Sequence, residues 1–459
     1  MNYGRKIIYT DASEITLQNV IDEVEKAYAF HQSNHFDCEK LYKHYKGETD
    51  ILLKKKEVRP EINHKINENR AYEIVSFHKG YTFGEPIQYV RRENSKRTDV
   101  ADDIIAEDIN ALNAYMSDVK KAMCDNSMAE WLYVTGTSYR LTLPNPTWDK
   151  DSDEPPFYVY ALDPRNTFVV YSRKIGNKPM MAVHYVEQSD NTRLYSVYTK
   201  DCFYEFKYGE KGLTAVPHVL GVVPIMEYPA DSSRLGVFEI ALPLLNTLNE
   251  LQSNRMDDIV QTVNSFLALL GASMDEETLA KLKEHSMLFL PEGTDAKYLS
   301  AAMTQADLQV LKDDIYQSIL TICGVPNRNG GSSTSDTGSA VIMRDGWETA
   351  EARAKATENI FKGSEIEFLK LVLNILRDTV GTNLRITDID IQFTRRNYEN
   401  IATKAQVLVA MLNNPHIHPE VAYASCGMFP DSASAYLQGK AWYEEQMTKW
   451  NPVEVHENV

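Results

Sequence analysis

Cysteine is scarce and never paired. Cys38, Cys124, Cys202, Cys323 and Cys426 stand far apart, with no CxxC spacing among them. This excludes a disulfide framework and a cysteine zinc site, and fits the reduced thiols of a cytoplasmic setting. Long apolar runs are missing too: none approaches the ~20 residues that a membrane-spanning helix needs. The start, Met1-Asn2-Tyr3-Gly4-Arg5-Lys6, lacks the apolar core of a signal peptide, so a soluble chain with no membrane contact is expected. Basic charge is short as well, 48 Lys and Arg against 65 Asp and Glu, a formal net charge of -17. A protein that wraps nucleic acid by neutralising phosphates over its whole surface is therefore disfavoured. No GxSxG, HExxH or dinucleotide fingerprint occurs, no ordered Ser/His/Asp set stands out, and no repeat of solenoid or propeller period is found. The sequence gives no positive sign of catalysis and calls for no cofactor.

What is present is a globular composition, 43% hydrophobic and 25% charged over 459 residues, enough for roughly two to four core-bearing units. Residues 13–45 read as a helix with Ser13 as its N-cap, since Ile15, Val20, Val24, Ala27 and Tyr28 return at helical spacing. Residues 63–79 read as a second helix ended by Gly80, and 102–131 as a third. From 133 to 228 aromatic and β-branched residues dominate short runs punctuated by Pro144-Asn145-Pro146, Asp163-Pro164 and Gly176-Asn177, which marks a β-rich block. Within it, 197–207 reads as a single strand. The fold class is α+β.

The second half holds two rods and a join. Helical pattern resumes near Gly236 with a kink expected at Pro243, and Leu244, Leu248, Leu251, Arg255, Asp258 and Thr262 form a stripe that grows polar, as in a rod leaving a core. A small α/β excursion follows, with a helix at 275–285 and strands at 287–290 and 297–301. A returning helix at 304–322 stops at Cys323-Gly324-Val325-Pro326. The join is Asn327-Arg328-Asn329-Gly330-Gly331-Ser332-Ser333-Thr334-Ser335-Asp336-Thr337-Gly338-Ser339, nearly uncharged and rich in glycine and serine. Such a loop between stiff elements is uncommon in a compact domain and is usually functional or disordered. It is no P-loop, because no lysine precedes the serine and a helix, not a strand, precedes the loop. Residues 340–380 then form one long helix with a bend expected at Gly363-Ser364 and a face of Met343, Trp347, Ala350, Ala354, Thr357, Phe361, Ser364, Phe368, Leu371 and Ile375. Glu358 falls off that face, with Glu348, Glu351, Lys355 and Lys362. A strand at 387–393 and a helical tail from 400 complete the chain.

Three clusters invite chemistry. Asp388 and Asp390 would suit a shared cation or proton, but apolar residues alternate with them, so both fit the solvated face of a half-buried strand. His416 and His418 lie between prolines with no third ligand nearby, as loop histidines do. Lys54, Lys55, Lys56 and Arg59, with Arg395 and Arg396, would attract nucleic acid, yet in an acidic chain such runs are more often solvated surface or charge partners between subunits.

Tyr42, Tyr45 and Gly47, then Asn63, Asn67 and Ala71, then Gly80-Tyr81-Thr82-Phe83-Gly84-Glu85-Pro86-Ile87 precede the aromatic β block. Together with the order helix, excursion, helix ending in Gly-Val-Pro, polar loop and long helix, they resemble the portal proteins of tailed bacteriophages, in the subgroup typical of long-tailed phages. The Gly80–Ile87 run is similar to that family's GYxxGxPI-like signature. The resemblance implies a wing over 1–235, stem helices over 236–266 and 304–326, a clip over 267–303, a tunnel loop over 327–339, a wing spine over 340–399 and a crown-like region over 400–459. It implies a ring of generally twelve subunits in the virion at the capsid vertex, assembled in the host cytoplasm. Double-stranded DNA would pass through it, and the terminase large subunit, a head-tail adaptor, capsid and scaffold proteins would meet it. Asp275, Glu276, Lys281, Lys283, Glu292 and Lys297 fall in the implied clip, and 327–339 would face DNA. The alternatives are another virion structural protein, such as an adaptor or minor capsid component, or a DNA-processing enzyme using Asp388 and Asp390.

Overall fold

In the computed structural model, residues 3–57, 59–92, 102–151, 154–189, 192–209, 212–263, 266–270, 295–299, 305–327, 346–394, 401–429 and 432–450 are described. The chain divides into two compact units, one of Met1–Tyr42, Val75–Glu239 and Glu348–Val459, the other of Lys43–Ile74 and Ile240–Trp347. Strand β1 (Ile8–Thr10) leads to helix α1 (Val20–Tyr45), a 3-10 turn at Asp50–Leu53, helix α2 (Arg70–Phe83), strand β2 (Gln88–Arg91) and helices α3 (Asp102–Asp118) and α4 (Lys121–Thr135). The β block comprises β3 (Thr137–Pro144), β4 (Phe157–Leu162), β5 (Thr167–Ser172), β6 (Pro179–Glu187), β7 (Arg193–Tyr198), β8 (Cys202–Lys207), β9 (Leu213–Pro217) and β10 (Ile225–Pro229). Helix α5 (Leu242–Val263), strands β11 (Phe266–Leu270) and β12 (Asp295–Leu299), helix α6 (Gln305–Cys323) and the long helix α7 (Trp347–Thr379) follow. Strand β13 (Ile389–Gln392) and helices α8 (Ile401–Leu412), α9 (Pro419–Cys426) and α10 (Ser432–Trp450) end the described chain.

The fold is α+β, as the sequence implies. In the first unit a six-stranded sheet runs β1-β5-β6-β7-β8-β9, parallel only where β1 meets β5. Val20, Val24 and Ala27 of α1 pack with Phe168, Val183, Tyr185, Tyr195 and Phe206, so the helical spacing seen in the sequence covers one sheet face. A three-stranded sheet, β10-β3-β4, shares a second core through Tyr139, Val169, Ala182, Val223 and Ile225. Strands β2 and β13 form an antiparallel pair.

Several boundaries differ from expectation, each for a local reason. Helix α1 begins at Val20 rather than Ser13, because the Asn19 side chain accepts from the Thr16 N–H at 2.7 Å and donates to the Glu14 carbonyl at 2.9 Å, closing a turn first. Gly47, at φ +87°, ends the helix as expected. Residues 63–69 are not helical, and α2 instead runs through Gly80 to Phe83. In the signature run the glycine that matters sterically is Gly84, where a Cβ would lie 2.3 Å from the Gly80 carbonyl oxygen. The third predicted helix is two, broken at Lys120 with φ +55°. Residues 197–207 are a hairpin, β7 and β8, whose alternation survives the turn at 199–201 and so looked like one strand. Pro243 sits in the first turn of α5, where its missing donor costs nothing.

Candidate functional site

Helices α5 and α6 lie in the second unit, and they are the two rods of the sequence. Their contact includes Arg255 on α5, which donates to Gln309 on α6 at 2.9 Å. The buried stripe of α5 is Leu242, Leu245 and Leu248, then Asn249, Ser253 and Asp257, one step round from the stripe expected. Its polar end is not bare. The Glu68 N–H donates to Asn249 Oδ1 at 3.0 Å, the Ile66 N–H to Ser253 Oγ at 2.9 Å and the His64 N–H to Asp257 Oδ1 at 2.7 Å. Every fourth residue of a helix advances about 6.0 Å and every second residue of an extended chain about 6.6 Å, so the two periods match over this length. The segment 64–68 is thereby strapped along α5, running opposite to it.

Asp257 is the last rung and the most heavily bonded. Its side chain is 1% exposed, and besides the His64 N–H it takes His64 Nδ1 at 2.8 Å, Lys54 Nζ at 3.1 Å and Lys56 Nζ at 3.4 Å. Burial would raise this carboxyl, but the bonds from the His64 backbone and ring and from Lys54 outweigh it and hold the group well below the usual carboxylate range. Two lysines of the basic run thus serve an internal carboxylate of the same chain, rather than solvent or a neighbouring subunit as expected. Glu68 ties both rods to the same strap, accepting from Gln252 on α5 at 2.6 Å and pairing with Lys312 on α6 at 3.5 Å. Asp257→Ala is expected to speed amide exchange at His64, Ile66 and Glu68 at least tenfold at neutral pH. Unchanged protection of those three amides, read by hydrogen exchange, would refute the strap.

Helix α6 ends in a defined cap on the side of the polar join. Gly324 at φ +69° and the Val325 N–H bond to the Leu320 carbonyl, at 2.9 Å, close α6 sharply before Pro326 and Asn327. Gly346, at φ +84°, precedes α7. At the other end, β11 pairs antiparallel with β12, with Leu267 opposite Tyr298 and Ala268 opposite Lys297. Of the expected site residues, Asn327 and Lys297 fall in described segments. Arg328, Asn329, Gly330, Gly331, Ser332, Ser333, Thr334, Ser335, Asp336, Thr337, Gly338 and Ser339 lie outside the described residues, as do Asp275, Glu276, Lys281, Lys283 and Glu292, the helix 275–285 and the strand 287–290. Arg395 and Arg396 lie outside them too.

Helix α7 holds a second polar centre, wholly inside the first unit. Glu365, 0% exposed, accepts from Tyr89 at 2.6 Å, Tyr228 at 2.8 Å and Arg140 Nη1 at 2.8 Å, and pairs with Lys121 at 3.0 Å. Asp125 takes the other edge of Arg140 and the Lys121 ammonium. The guanidinium of Arg140 lies 4.4 Å from the Phe368 ring centre and 4.8 Å from that of Tyr228. Two cations and two carboxylates therefore balance in a buried cluster. Burial would raise the Glu365 carboxyl, but the charges of Arg140 and Lys121 and the Tyr89 hydroxyl keep it low. The expected face of α7 is otherwise in place, with Ala350, Ala354, Phe361, Phe368, Leu371 and Ile375 buried, and Glu358 joins them, against expectation.

Asp388 is fully buried rather than solvated and accepts from the Arg385 N–H at 3.0 Å, closing a short turn before β13. Asp390 is half-buried. His418 caps α9, accepting from the Glu420 N–H at 3.3 Å. Among the described residues no group of three or more His, Cys, Asp and Glu is placed to hold a metal, no helix is long and apolar enough to cross a membrane, and the five cysteines are unpaired.

A family model described as phage portal protein, SPP1 Gp6-like, matches residues 25–446. No curated protein matches the chain. Among solved structures, a chain in the virion of a native gene transfer agent particle is similar at 11% identity and TM-score 0.44, over 78% of this chain and 89% of that one. A chain in the neck of an empty gene transfer agent particle is similar at 10% identity and TM-score 0.45, over 78% and 90%.

Proposed function

This chain belongs to the phage portal protein family, SPP1 Gp6-like, and from that membership we propose the working of a portal subunit with no chemistry of its own. It is a virion component of the capsid vertex. Copies close into a ring, of about twelve as the resemblance implies, and double-stranded DNA moves along its axis during packaging and ejection. The observation that carries the reading is the family match over residues 25–446, which takes in both rods, the join and the long helix. In this reading α5 and α6 are the stem, residues 267–303 the clip that docks the terminase large subunit and later a head-tail adaptor, and 327–339 the loop nearest DNA. Capsid and scaffold proteins meet the ring while it assembles in the host cytoplasm.

Electrostatics supports passage rather than grip. Tight nucleic-acid binding scales with the number of phosphates neutralised, and the join carries only Arg328 and Asp336 in a chain of net charge -17. A strap that fastens both rods to 64–68 would keep a conduit wall stiff while the join between the rods and α7 contacts the moving backbone. Deleting 330–338 is expected to leave rings visible by electron microscopy of the purified protein and to reduce DNA-filled heads at least tenfold. Normal filling with the loop deleted would remove its role, and an intact chain that yields filaments or monomers in place of rings would remove the reading itself.

A further inference from the structure

Helices α8, α9 and α10 form a small open array in which α9 packs against α8 and against α10. Helix α8 carries one charge in twelve residues, Lys404, and that side chain is used inward, donating to the Gly427 carbonyl at 3.0 Å. So apolar a helix is ordinarily covered all round. Here Val407 is 43% exposed, Val409 57% and Leu412 41%. Helix α10 is bare for a different reason. At nineteen residues it is about 28 Å long, whereas α9, at eight, is about 12 Å. Tyr423 of α9 reaches Tyr436, with ring centres 5.9 Å apart, and its hydroxyl lies 3.4 Å from where a Gly439 Cβ would be. Beyond that point Trp442 and Tyr443 are 63% and 59% exposed, and Met447 is 44% exposed.

We propose that these are the two halves of one contact between successive copies of this chain, the outer side of α8 in one copy receiving the projecting half of α10 from the next. The inference rests on the ring reading. Two aromatic side chains about 60% exposed leave on the order of 100 Å² of ring surface each. With Met447 and the three aliphatic side chains of α8, the two faces together reach several hundred Å², the scale of an interaction site and part of the ~1,600 Å² that a stable interface buries in total. A single outside partner would account for one such face. A chain carrying two different faces on one array is what a head-to-tail contact needs, and a head-to-tail contact makes a ring where its rotation closes, as the ring reading requires.

The test is a charge exchange read by mass photometry and electron microscopy. Val409→Lys alone and Trp442→Glu alone are each expected to cut the ring fraction at least tenfold. The double variant V409K/W442E, with a lysine facing a glutamate across each contact, is expected to regain rings, which damage to the subunit would not allow. Rings unchanged in either single variant hand these faces to another occupant and overturn the inference while leaving the ring reading intact. A double variant no better than the singles also overturns it. Absence of rings from the unaltered chain fails the ring reading, and this inference with it.

Discussion

Glu365→Ala is expected to destabilise the first unit by about 3–5 kcal/mol, because it leaves Arg140 and Lys121 facing Asp125 alone inside a closed core. The size follows from what is stranded rather than from what is lost. Arg140 and Glu365 are both 0% exposed, so the stranded charges are out of reach of bulk solvent, and the hydroxyls of Tyr89 and Tyr228 lose their acceptor together with the two cations. Removing the opposite charge as well should return part of the loss. In Arg140→Met with Glu365→Gln the remaining pair, Lys121 and Asp125 at 2.5 Å, is again neutral. The double variant should therefore cost less than the sum of Arg140→Met and Glu365→Gln by roughly 1–3 kcal/mol. Urea denaturation of the four proteins closes the cycle. Additive effects within about 0.5 kcal/mol would show that the cluster does not act as a unit.

That cluster also marks where the sequence was readable and where it was not. The apolar face of α7 is legible because Ala350, Ala354, Phe361, Phe368, Leu371 and Ile375 repeat at helical steps and burial follows the repeat. Glu365 and Glu358 share the buried side but look, by residue type, like solvent-facing carboxylates. Only partners far away in sequence reveal Glu365, since Arg140 is 225 residues from it. The same holds for Asp257, whose partners are at 54, 56 and 64. A sharper signal existed in that case: Asn249, Ser253 and Asp257 stand four residues apart, a row of small polar acceptors on one helix side, next to a stripe of leucines. Read as a row, they ask for donors from an extended segment. The order of rods, join and long helix was legible because it depends on periodicity and punctuation, which are local. The β7–β8 hairpin was not, since Tyr198 and Cys202 continue one alternation across a turn without glycine or proline.

His31 should make the fold acid-sensitive well above the carboxylate range. It lies on α1, 1% exposed, stacked on Phe168 with ring centres 4.5 Å apart, and its Nε2–H donates to the Arg165 carbonyl at 2.8 Å. A carbonyl only accepts, so the neutral ring with its proton on Nε2 is the form that fits. His35 Nδ1 and the Tyr185 hydroxyl meet the same oxygen at 2.8 and 3.0 Å. Burial pushes the His31 imidazole down from 6.5 to about 4, against the pull of the Arg165 carbonyl. The unfolded chain therefore takes up a proton near pH 6.5 that the folded chain refuses until about pH 4. Stability is full above the unfolded value and falls as pH drops through this window, by about 3 kcal/mol in all, since each unit of difference is worth about 1.4 kcal/mol. The low-lying carboxyls of Asp257 and Glu365 add their own loss as pH falls through the ordinary carboxylate range, so the histidine contribution has to be isolated by difference. His31→Gln keeps a donor for the Arg165 carbonyl and does not titrate. It should be the less stable protein at pH 7.5 but should lose about 3 kcal/mol less than the native chain between pH 7 and pH 4, in urea titrations run at each pH. Parallel stability curves for the two proteins over that window would show that His31 is not buried in its neutral form.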